Sequence, residues 1–417
     1  MSFEISPDFK TAECQDFCDR VADGTHDSPK ETAVGKRLVT SKNVKGGRLE
    51  LDSAYLISAE DFESINKRSK VDQWDLLLTM IGTVGEVCLV TDPEPDFAIK
   101  NVGLLKCGDE LKAKWLYYFL RSPQGQILIE ERKKGSTQQY VSLTELRKLP
   151  ISYPDDLSVM RRIVEDLSGI DDRITLLRET NTTLEAIAQA LFKSWFVDFD
   201  PVHAKMQGRA PEGMDEATAA LFPDSFEESE LGAVPKGWKF GSLSDLCVIA
   251  SGKRPVDRSD VLSNSCNIPL YGGAGVMGYT SESLFEDKKI VTGRVGTLGR
   301  VHVAYPPFWA SDNVLVLSPR DETFFSFSFQ WLCGIDVHAL NRGSTQPLLT
   351  QKDLGAQVNV IPPRTLLEKF EEISAALNQQ IRLQTLQVEI LSDLRDTLLP
   401  RLIFGELRTS SIAGDAA

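Results

Sequence analysis

An internal duplication constrains this chain more than any other feature of its sequence. Residues 134–138 read Lys-Gly-Ser-Thr-Gln, and residues 342–346, 208 positions later, read Arg-Gly-Ser-Thr-Gln. Gly-Thr-Val-Gly at residues 82–85 recurs as Gly-Thr-Leu-Gly at residues 296–299, each behind an apolar segment typical of a strand. Two copies of about 200 residues are too long for the stacked units of a solenoid. The duplication therefore predicts two similar domains in one chain.

A long helical pattern follows each copy, after Pro154 and after Pro362. Apolar residues recur in steps of three and four over about 40 residues, which is the heptad seam of a coiled coil. Each helix would be about 60 Å long. The pattern predicts that the helices pack on each other along Ile163, Leu167, Ile174, Leu177, Leu184 and Leu191 of the first and Phe370, Ile373, Leu377, Ile381, Val388 and Leu391 of the second.

Two questions about this seam stay open at the level of sequence. Asn181 and Gln384 are polar at seam positions, and either fix the register of the helices or mark solvated spots. The pattern places Leu394 in the second seam, after Leu391. The second open question is whether the helices pair with each other, since each could instead pack on its own domain.

The composition is that of a folded protein. The chain has 417 residues, of which 42% are apolar and 25% charged, too apolar for general disorder. No apolar run approaches the ~18 residues of a membrane helix, and the first residues do not form a secretion signal, so we expect a cytoplasmic protein that does not enter a membrane. Seven scattered cysteines and four histidines favour reduced thiols and no metal site.

The negative charge is unevenly distributed. The net charge is −14, and residues 155–230 alone carry 7 basic and 17 acidic side chains. The two blocks that hold the repeated motifs are close to neutral, which leaves room for a local basic face on either. The acidic central helix suits contact with protein better than contact with phosphate.

We predict an α+β fold, because each copy mixes short strands with short helices. Two duplicated α/β domains would be separated by two long antiparallel coiled-coil helices, with pseudo-twofold symmetry. The predicted boundaries are a first domain at 1–154, a central long helix at 155–200, a connector at 201–231, a second domain at 232–362, a distal long helix at 363–408 and a flexible tail at 409–417.

The repeated polar loops have the chemistry of a nucleic-acid contact. Lysine or arginine can neutralise phosphate, serine and threonine can donate to phosphate oxygens, and glutamine can read an adenine edge. The alternative is a capping loop at the junction of domain and helix, since glycine, serine and threonine are ordinary turn residues. With the threonines of the glycine turns and a basic neighbour, the candidates for DNA binding are Lys133, Lys134, Ser136, Thr137, Gln138, Thr83, Arg294, Thr297, Arg342, Ser344, Thr345 and Gln346.

The glycine motifs are predicted to be structural turns near a DNA-facing edge. No Lys-Ser or Lys-Thr follows them, so neither is a phosphate-binding loop of a nucleotide-binding protein. Arg294 precedes the second turn, whereas Met80 occupies the aligned position in the first. Residues 305–308, Tyr-Pro-Pro-Phe, lack the Asn or Asp that an amino-methyltransferase loop needs. We expect no catalytic residue in this chain.

Taken together, these patterns resemble the specificity subunit of a type I restriction–modification system over essentially the whole chain. The resemblance also includes the segment Tyr-Gly-Gly-Ala-Gly-Val-Met-Gly-Tyr-Thr at 271–280 and the helix endings at 191–201 and 398–407. It implies two target-recognition domains, each of which reads one half of a bipartite site in double-stranded DNA, and two helices that set the distance between the halves.

The resemblance also implies partners. Two modification subunits would use S-adenosylmethionine to methylate adenine, and restriction subunits would supply translocation and cleavage driven by ATP. S-adenosylmethionine, ATP and Mg²⁺ would then belong to the partners, with no cofactor in this chain. Two rival functions are a self-sufficient DNA methyltransferase or nuclease, and a coiled-coil scaffold that does not bind DNA.

Overall fold

The computed structural model describes residues 8–136, 138–229, 232–343 and 345–407. These form two compact units: unit 1 comprises residues 1–178 and 386–417, and unit 2 comprises residues 179–385. In the first part of the chain the elements are β1 (Phe9–Glu13), α1 (Cys14–Phe17), β2 (Arg20–Asp23), β3 (Lys36–Val39), β4 (Val44–Lys45), β5 (Arg48–Leu49), β6 (Tyr55–Ile57), α2 (Ala59–Ser69), β7 (Asp75–Thr79), β8 (Val87–Leu89), β9 (Phe97–Ile99), β10 (Val102–Lys106), α3 (Glu110–Arg121), α4 (Pro123–Glu130), α5 (Leu143–Arg147), β11 (Pro150–Pro154) and α6 (Leu157–Phe196).

The second part of the chain adds a matching set of strands and helices. These are α7 (Asp200–Met206), α8 (Glu216–Ala220), β12 (Phe226–Ser229), β13 (Gly232–Pro235), β14 (Lys239–Ser242), α9 (Leu243–Leu246), β15 (Cys247–Ser251), β16 (Ile268–Gly272), β17 (Gly275–Thr280), β18 (Lys289–Gly293), β19 (Val301–Ala304), β20 (Trp309–Ala310), β21 (Val314–Pro319), α10 (Phe325–Gly334), α11 (Gln351–Gly355), β22 (Val358–Ile361) and α12 (Arg364–Ile403). Short 3-10 turns cover Ser41–Asn43, Leu51–Ser53 and Glu322–Phe324.

Both units have the same sheet topology. The four-stranded antiparallel sheet has the order β2-β10-β7-β8 in unit 1 and β15-β21-β18-β19 in unit 2. The register is also equivalent, because Leu105 lies opposite Leu76 in unit 1 as Leu317 lies opposite Ile290 in unit 2. The duplication seen in the sequence is therefore a duplication of structure, and the predicted α+β class is confirmed.

A second, three-stranded sheet is also common to the two units. Its order is β6-β3-β9 in unit 1 and β17-β16-β20 in unit 2, with the central strand antiparallel to one neighbour and parallel to the other. The units differ in the link between the first two of these strands. Residues 40–54 connect β3 to β6 and include the small β4–β5 hairpin, whereas residues 273–274 suffice between β16 and β17.

The four-stranded sheets separate two apolar cores in each unit. Leu76 and Leu78 of β7 point into one core and Leu77 into the other, and Ile290 and Val291 of β18 divide in the same way. Side chains alternate along a strand, so a strand covered on both faces reads as an unbroken apolar run. This is why the sequence pattern located β7 and β18 reliably.

The long helices α6 and α12 each have 40 residues and contribute to the core of both units. In unit 1, Ile163 and Leu167 of α6 share a core with Leu402 of α12 and with the sheet. In unit 2, Phe370 of α12 lies 6.0 Å from Phe192, measured between ring centroids. The helices thus pair with each other and also pack on the domains, so the two arrangements that the sequence left as alternatives occur together.

The helices are antiparallel within unit 2. Asn181 of α6 donates to the hydroxyl oxygen of Thr385 at 3.2 Å, and Phe196, farther along α6, contacts Phe370, farther back along α12. The predicted seam residues are buried or half-buried along their lengths in both units. Leu394 is an exception: it is 44% exposed, whereas the side chain of Arg395 is only 14% exposed. The assignment of Leu394 to the seam was wrong, since the next step of four from Leu391 reaches Arg395.

The segment predicted as a connector, residues 201–231, contains α7, α8 and β12 where it is described. Val202 and Phe222 are buried in the core of unit 2, and β12 pairs with β13. None of the helices in the described residues is long and apolar enough to cross a membrane. The predicted tail, residues 409–417, lies outside the described residues.

Candidate nucleic-acid interface

The glycine turn and the polar loop, which are more than 40 residues apart in sequence, lie side by side in each unit. In unit 1 the Val141 amide donates to the Met80 carbonyl at 2.9 Å, and the Gly82 amide donates to the Gln139 carbonyl at 3.3 Å. In unit 2 the equivalent bonds join Leu349 to Arg294 at 2.8 Å and Gly296 to Pro347 at 3.0 Å. We call each pair of segments, residues 80–85 with 134–141 and residues 294–299 with 342–349, a paired-loop site.

The polar loop closes on itself by backbone hydrogen bonds. Lys134 and Tyr140 exchange two such bonds, at 2.8 and 2.9 Å, and the Arg342 amide donates to the Leu348 carbonyl at 2.9 Å. A side chain at Gly343 would place its Cβ 1.8 Å from the carbonyl oxygen of Gln346. The glycine is therefore required by the close approach of the two sides of the loop.

An ion pair anchors each polar loop to the short helix that follows it. The Lys134 ammonium lies 2.9 Å from Glu145 in unit 1. In unit 2 the Arg342 guanidinium bonds both carboxylate oxygens of Asp353, at 2.8 and 3.1 Å. The hydrogen bond from Arg342, with a smaller contribution from that of Thr350, lowers the pKa of Asp353 to about 2, well below its usual range. Glu145 and Asp353, which follow the two polar loops at the same offset, thus have a structural role.

The hydroxyl and amide groups of the paired-loop sites face solvent. Thr83, Ser136 and Gln138 are exposed in unit 1, and Thr297, Thr345 and Gln346 are exposed in unit 2. Thr137 and Ser344 lie outside the described residues. Exposed hydroxyl and amide groups on a loop held rigid by backbone bonds can donate to phosphate oxygens and read base edges.

The basic candidates are held more tightly than the sequence implied. Lys133 is paired with Glu130, one turn back on α4, and its side chain is 16% exposed. Arg294 is half-buried, and its guanidinium lies 3.4 Å from the carbonyl oxygen of Asp312. Lys134 and Arg342 remain 54% and 67% exposed despite their ion pairs. These two residues present the more accessible positive charge.

In unit 2 the β16–β17 turn joins the paired-loop site. A Cβ on Gly273 would lie 2.8 Å from the Thr297 carbonyl oxygen, so this turn packs directly on the glycine turn. The sequence of residues 271–280 gives no sign of this contact beyond the family resemblance, because the contact joins turns that lie on different strand pairs. In unit 1, the longer link that includes β4 and β5 takes this place, and the Gly46 amide bonds the Glu86 carboxylate at 2.9 Å.

The described residues contain no group of three or more His, Cys, Asp or Glu side chains that could hold a metal ion. Three buried thiols approach one another in unit 1, with Cys18 Sγ 3.9 Å from Cys14 Sγ and 3.8 Å from Cys107 Sγ. The neighbouring Cys18 thiol and burial raise the pKa of Cys107 far above its usual range, so this thiol stays protonated. These cysteines pack as small apolar groups.

A family model decides the family of the chain. The model described as "Type I restriction modification DNA specificity domain" matches residues 8–186 and again residues 235–398. The chain belongs to this family. The two matches each cover one copy of the duplication together with most of the long helix that follows it. The chain is thus a DNA specificity chain of the type I restriction–modification class.

Individual relatives agree with this assignment. The chain is similar to the type I restriction enzyme MjaIX specificity subunit of Methanocaldococcus jannaschii, with 25% identity over 81% of this chain and 78% of the relative. It is also similar to the HindI specificity subunit of Haemophilus influenzae, with 26% identity over 67% of this chain and 73% of the relative.

A solved structure supports the fold. The type I S subunit from M. genitalium superposes with a TM-score of 0.54 at 19% identity, over 96% of this chain and 98% of that one. The two-domain plan with long helices, which the sequence predicted, is therefore shared with a solved structure of the family.

Proposed function

We propose that this specificity subunit reads a bipartite site in double-stranded DNA, one half-site for each paired-loop site. The observation that carries this proposal is the duplicated juxtaposition of glycine turn and polar loop by equivalent backbone bonds. A tandem pair of equivalent readers suits two half-sites at a fixed spacing. The equivalent loop geometry favours this reading over a scaffold without DNA binding.

We further propose that the long helices dock two modification subunits of the complex. In unit 1, Leu386, Ile390 and Leu394 of α12 are 45%, 67% and 44% exposed. Their spacing of four residues puts them on one face of the helix. An exposed apolar stripe of this kind suits the side of a partner helix.

In this proposal the chain positions DNA and leaves the chemistry to its partners. Methylation of adenine requires that the base leave the stack, so another surface must hold the flanking duplex. The modification subunits would bind S-adenosylmethionine, and restriction subunits would bind ATP and Mg²⁺. The complex would act in the cytoplasm, on the DNA of the cell and of invaders.

The test is a methyl-transfer assay with and without the partners. The purified chain, the modification subunits and the reconstituted complex are each incubated with genomic DNA and labelled S-adenosylmethionine, and the methylated positions are sequenced. We expect transfer by the complex only, at a motif of two short half-sites separated by a fixed spacer. Transfer by the chain alone, or a continuous motif, would contradict the proposal.

A pair of loop variants localises the reading function. K134Q with E145Q removes the exposed cation of unit 1 together with its partner, and R342Q with D353N does the same in unit 2. Each double variant should weaken binding of the complex to any duplex. The slope of log K against log salt should fall by about one for each phosphate contact that is lost. R209Q, at an exposed position outside both loops, is the control. A salt dependence that matches the control would exclude these loops from the interface.

A further inference from the structure

Four arginines of unit 1 come together beside its paired-loop site. Arg395 of α12 lies 2.7 Å from one oxygen of Asp171, and Arg121 of α3 lies 4.0 Å from the other. The β4–β5 hairpin packs on Arg121, because a Cβ on Gly47 would lie 3.1 Å from the guanidinium carbon. Arg48 follows in this hairpin.

The fourth arginine, Arg178 of α6, lies seven residues after Asp171, which is about two turns along the same face of the helix. Partial burial lowers the pKa of the Arg178 guanidinium, and the neighbouring charges of Arg48 and Arg395 lower it further, against the opposite effect of Asp171. Like charges repel one another, and a bound anion would relieve the repulsion.

The cluster carries more positive than negative charge. Asp171 also accepts a hydrogen bond from the Tyr118 hydroxyl at 3.0 Å, so its two oxygens are shared among three donors. Asp396 bonds Arg395 at 2.8 Å. The cluster thus combines four guanidinium groups with the carboxylates of Asp171 and Asp396, and the Glu86 carboxylate bonds the same hairpin at Gly46. Arg48 and Arg178 are exposed, whereas Arg121 and Arg395 form the half-buried base of the cluster.

The cluster is continuous with the glycine turn of unit 1. The Gly46 amide donates to the Glu86 carboxylate at 2.9 Å, and the Gln126 amide donates to the Gly85 carbonyl at 3.0 Å. Gln126 belongs to α4, directly after α3, which carries Arg121. The same surface thus extends from the exposed Thr83 to Arg48.

The cluster lies in the unit that has no arginine next to its glycine turn. Unit 2 has Arg294 two residues before Gly296 of its glycine turn, and unit 1 has Met80 at the equivalent position, buried in the core. The segment that holds Arg48 is the longer link between β3 and β6, which unit 2 replaces with two residues. Unit 1 therefore has Arg48 on its longer link, whereas unit 2 has Arg294 next to its glycine turn.

We infer that Arg48, Arg121, Arg178 and Arg395 form a phosphodiester-binding cluster that holds the DNA backbone beside the first half-site. This inference rests on the proposed reading of DNA by the paired-loop sites. Guanidinium groups present forked N–H donors that match the oxygens of a phosphate. Arg48 and Arg178 would make the contacts, and Arg121 and Arg395 would be held in place by Asp171.

The experiment compares two double variants of the complex with modification subunits. R48Q/R178Q removes the two exposed arginines and leaves the base of the cluster intact. R173Q/R209Q makes the same change in charge at exposed positions, with Arg173 on α6 about 140° around the helix from Arg178. Binding to a labelled duplex with the methylated motif is measured between 50 and 200 mM salt, and assembly is checked by size-exclusion chromatography.

We expect R48Q/R178Q to bind about tenfold or more weakly and to lose about two units of the slope of log K against log salt. Duplexes with single neutral methylphosphonate linkages locate the contact. A methylphosphonate beside either half-site should weaken binding by the control complex. For R48Q/R178Q, only a methylphosphonate beside one of the half-sites should have this effect.

Three results would overturn the inference. They are a slope equal to that of the control, an unchanged methylphosphonate pattern, and loss of the modification subunits from R48Q/R178Q, which would assign the cluster to a carboxylate surface of a partner. A wild-type complex that bound no duplex would contradict the proposed function itself, and the cluster inference with it. Normal binding by wild type with an unaffected variant would contradict the cluster alone.

Discussion

At the scale of single residues, the paired-loop sites depend on contacts that leave no space for a side chain. Gly343 is the clearest case, because its ideal Cβ lies 1.8 Å from the Gln346 carbonyl oxygen. This carbonyl is backbone and cannot rotate away. The loop would have to open, and the positions of Thr345 and Gln346 would change with it.

Gly343→Ala should therefore destabilise unit 2 by about 1–3 kcal/mol, the range of an overpacked site, and weaken DNA binding by the complex. Gly334→Ala is the matched control. That glycine ends α10 and has no atom within 4 Å of its ideal Cβ, so alanine there should be neutral or stabilise by up to about 1 kcal/mol. Urea unfolding followed by tryptophan fluorescence measures both. Equal midpoints for the two variants would contradict the steric argument.

Residue types predicted the loops but not their partners. Repetition of Gly-Ser-Thr-Gln marked the two segments that the fold places beside the glycine turns. Glu145 and Asp353 follow these segments at the same offset, but the sequence did not show that they pair with Lys134 and Arg342. The arginine cluster had no signal of this kind. Its members lie on four elements separated by up to 347 positions, and only the fold brings Arg48 to Arg395.

At the scale of elements, the seam between the long helices is less apolar than a heptad rule would make it. Asn181 donates to Thr385 and, at 3.4 Å, to the Ile381 carbonyl, while its own carbonyl oxygen is buried without a partner. Gln384 is 8% exposed, and its carbonyl oxygen also lacks a partner. Arg395 occupies the position that the sequence pattern gave to Leu394. A search for apolar residues alone does not find this seam position, because the charge of Arg395 is paired with Asp171.

Gln384→Leu should raise the free energy of unfolding by about 1 kcal/mol or more, because it removes a buried carbonyl that is not hydrogen-bonded. Gln380→Leu, at an exposed position one turn away, should change it by less than about 0.5 kcal/mol. Urea unfolding of both variants gives the comparison. Destabilisation by Gln384→Leu would show that the glutamine has a partner in solution and contributes to register.

At the scale of the whole molecule, the duplication and the helix lengths follow from the sequence. Each unit repeats one sheet topology, and each long helix has 40 residues, as the heptad pattern indicated. The links between equivalent strands do not follow from it, since the first is 15 residues long and the second two. Because such links carry the contacts that distinguish the units, the fold was predictable and the target was not.

The proposed role of the helices as a spacer makes a quantitative prediction. Removal of residues 181–187 from α6 together with residues 379–385 from α12 deletes one heptad from each helix, takes out Asn181 and Thr385 as a pair, and leaves Arg178, Leu386 and Ile390 in place. Seven residues of helix span about 10.5 Å, which is about three base pairs of B-DNA. The seam keeps its phase, because a heptad returns each helix face to the same side.

The methylated motif of cells that carry this variant should have a spacer about three base pairs shorter and unchanged half-sites. Duplication of the same two segments should lengthen the spacer by the same amount, which controls for damage to the helices. Sequencing of methylated DNA reads both results directly. Altered bases within a half-site would mean that the helices take part in reading, and an unchanged spacer would mean that the distance between half-sites is set by the partners.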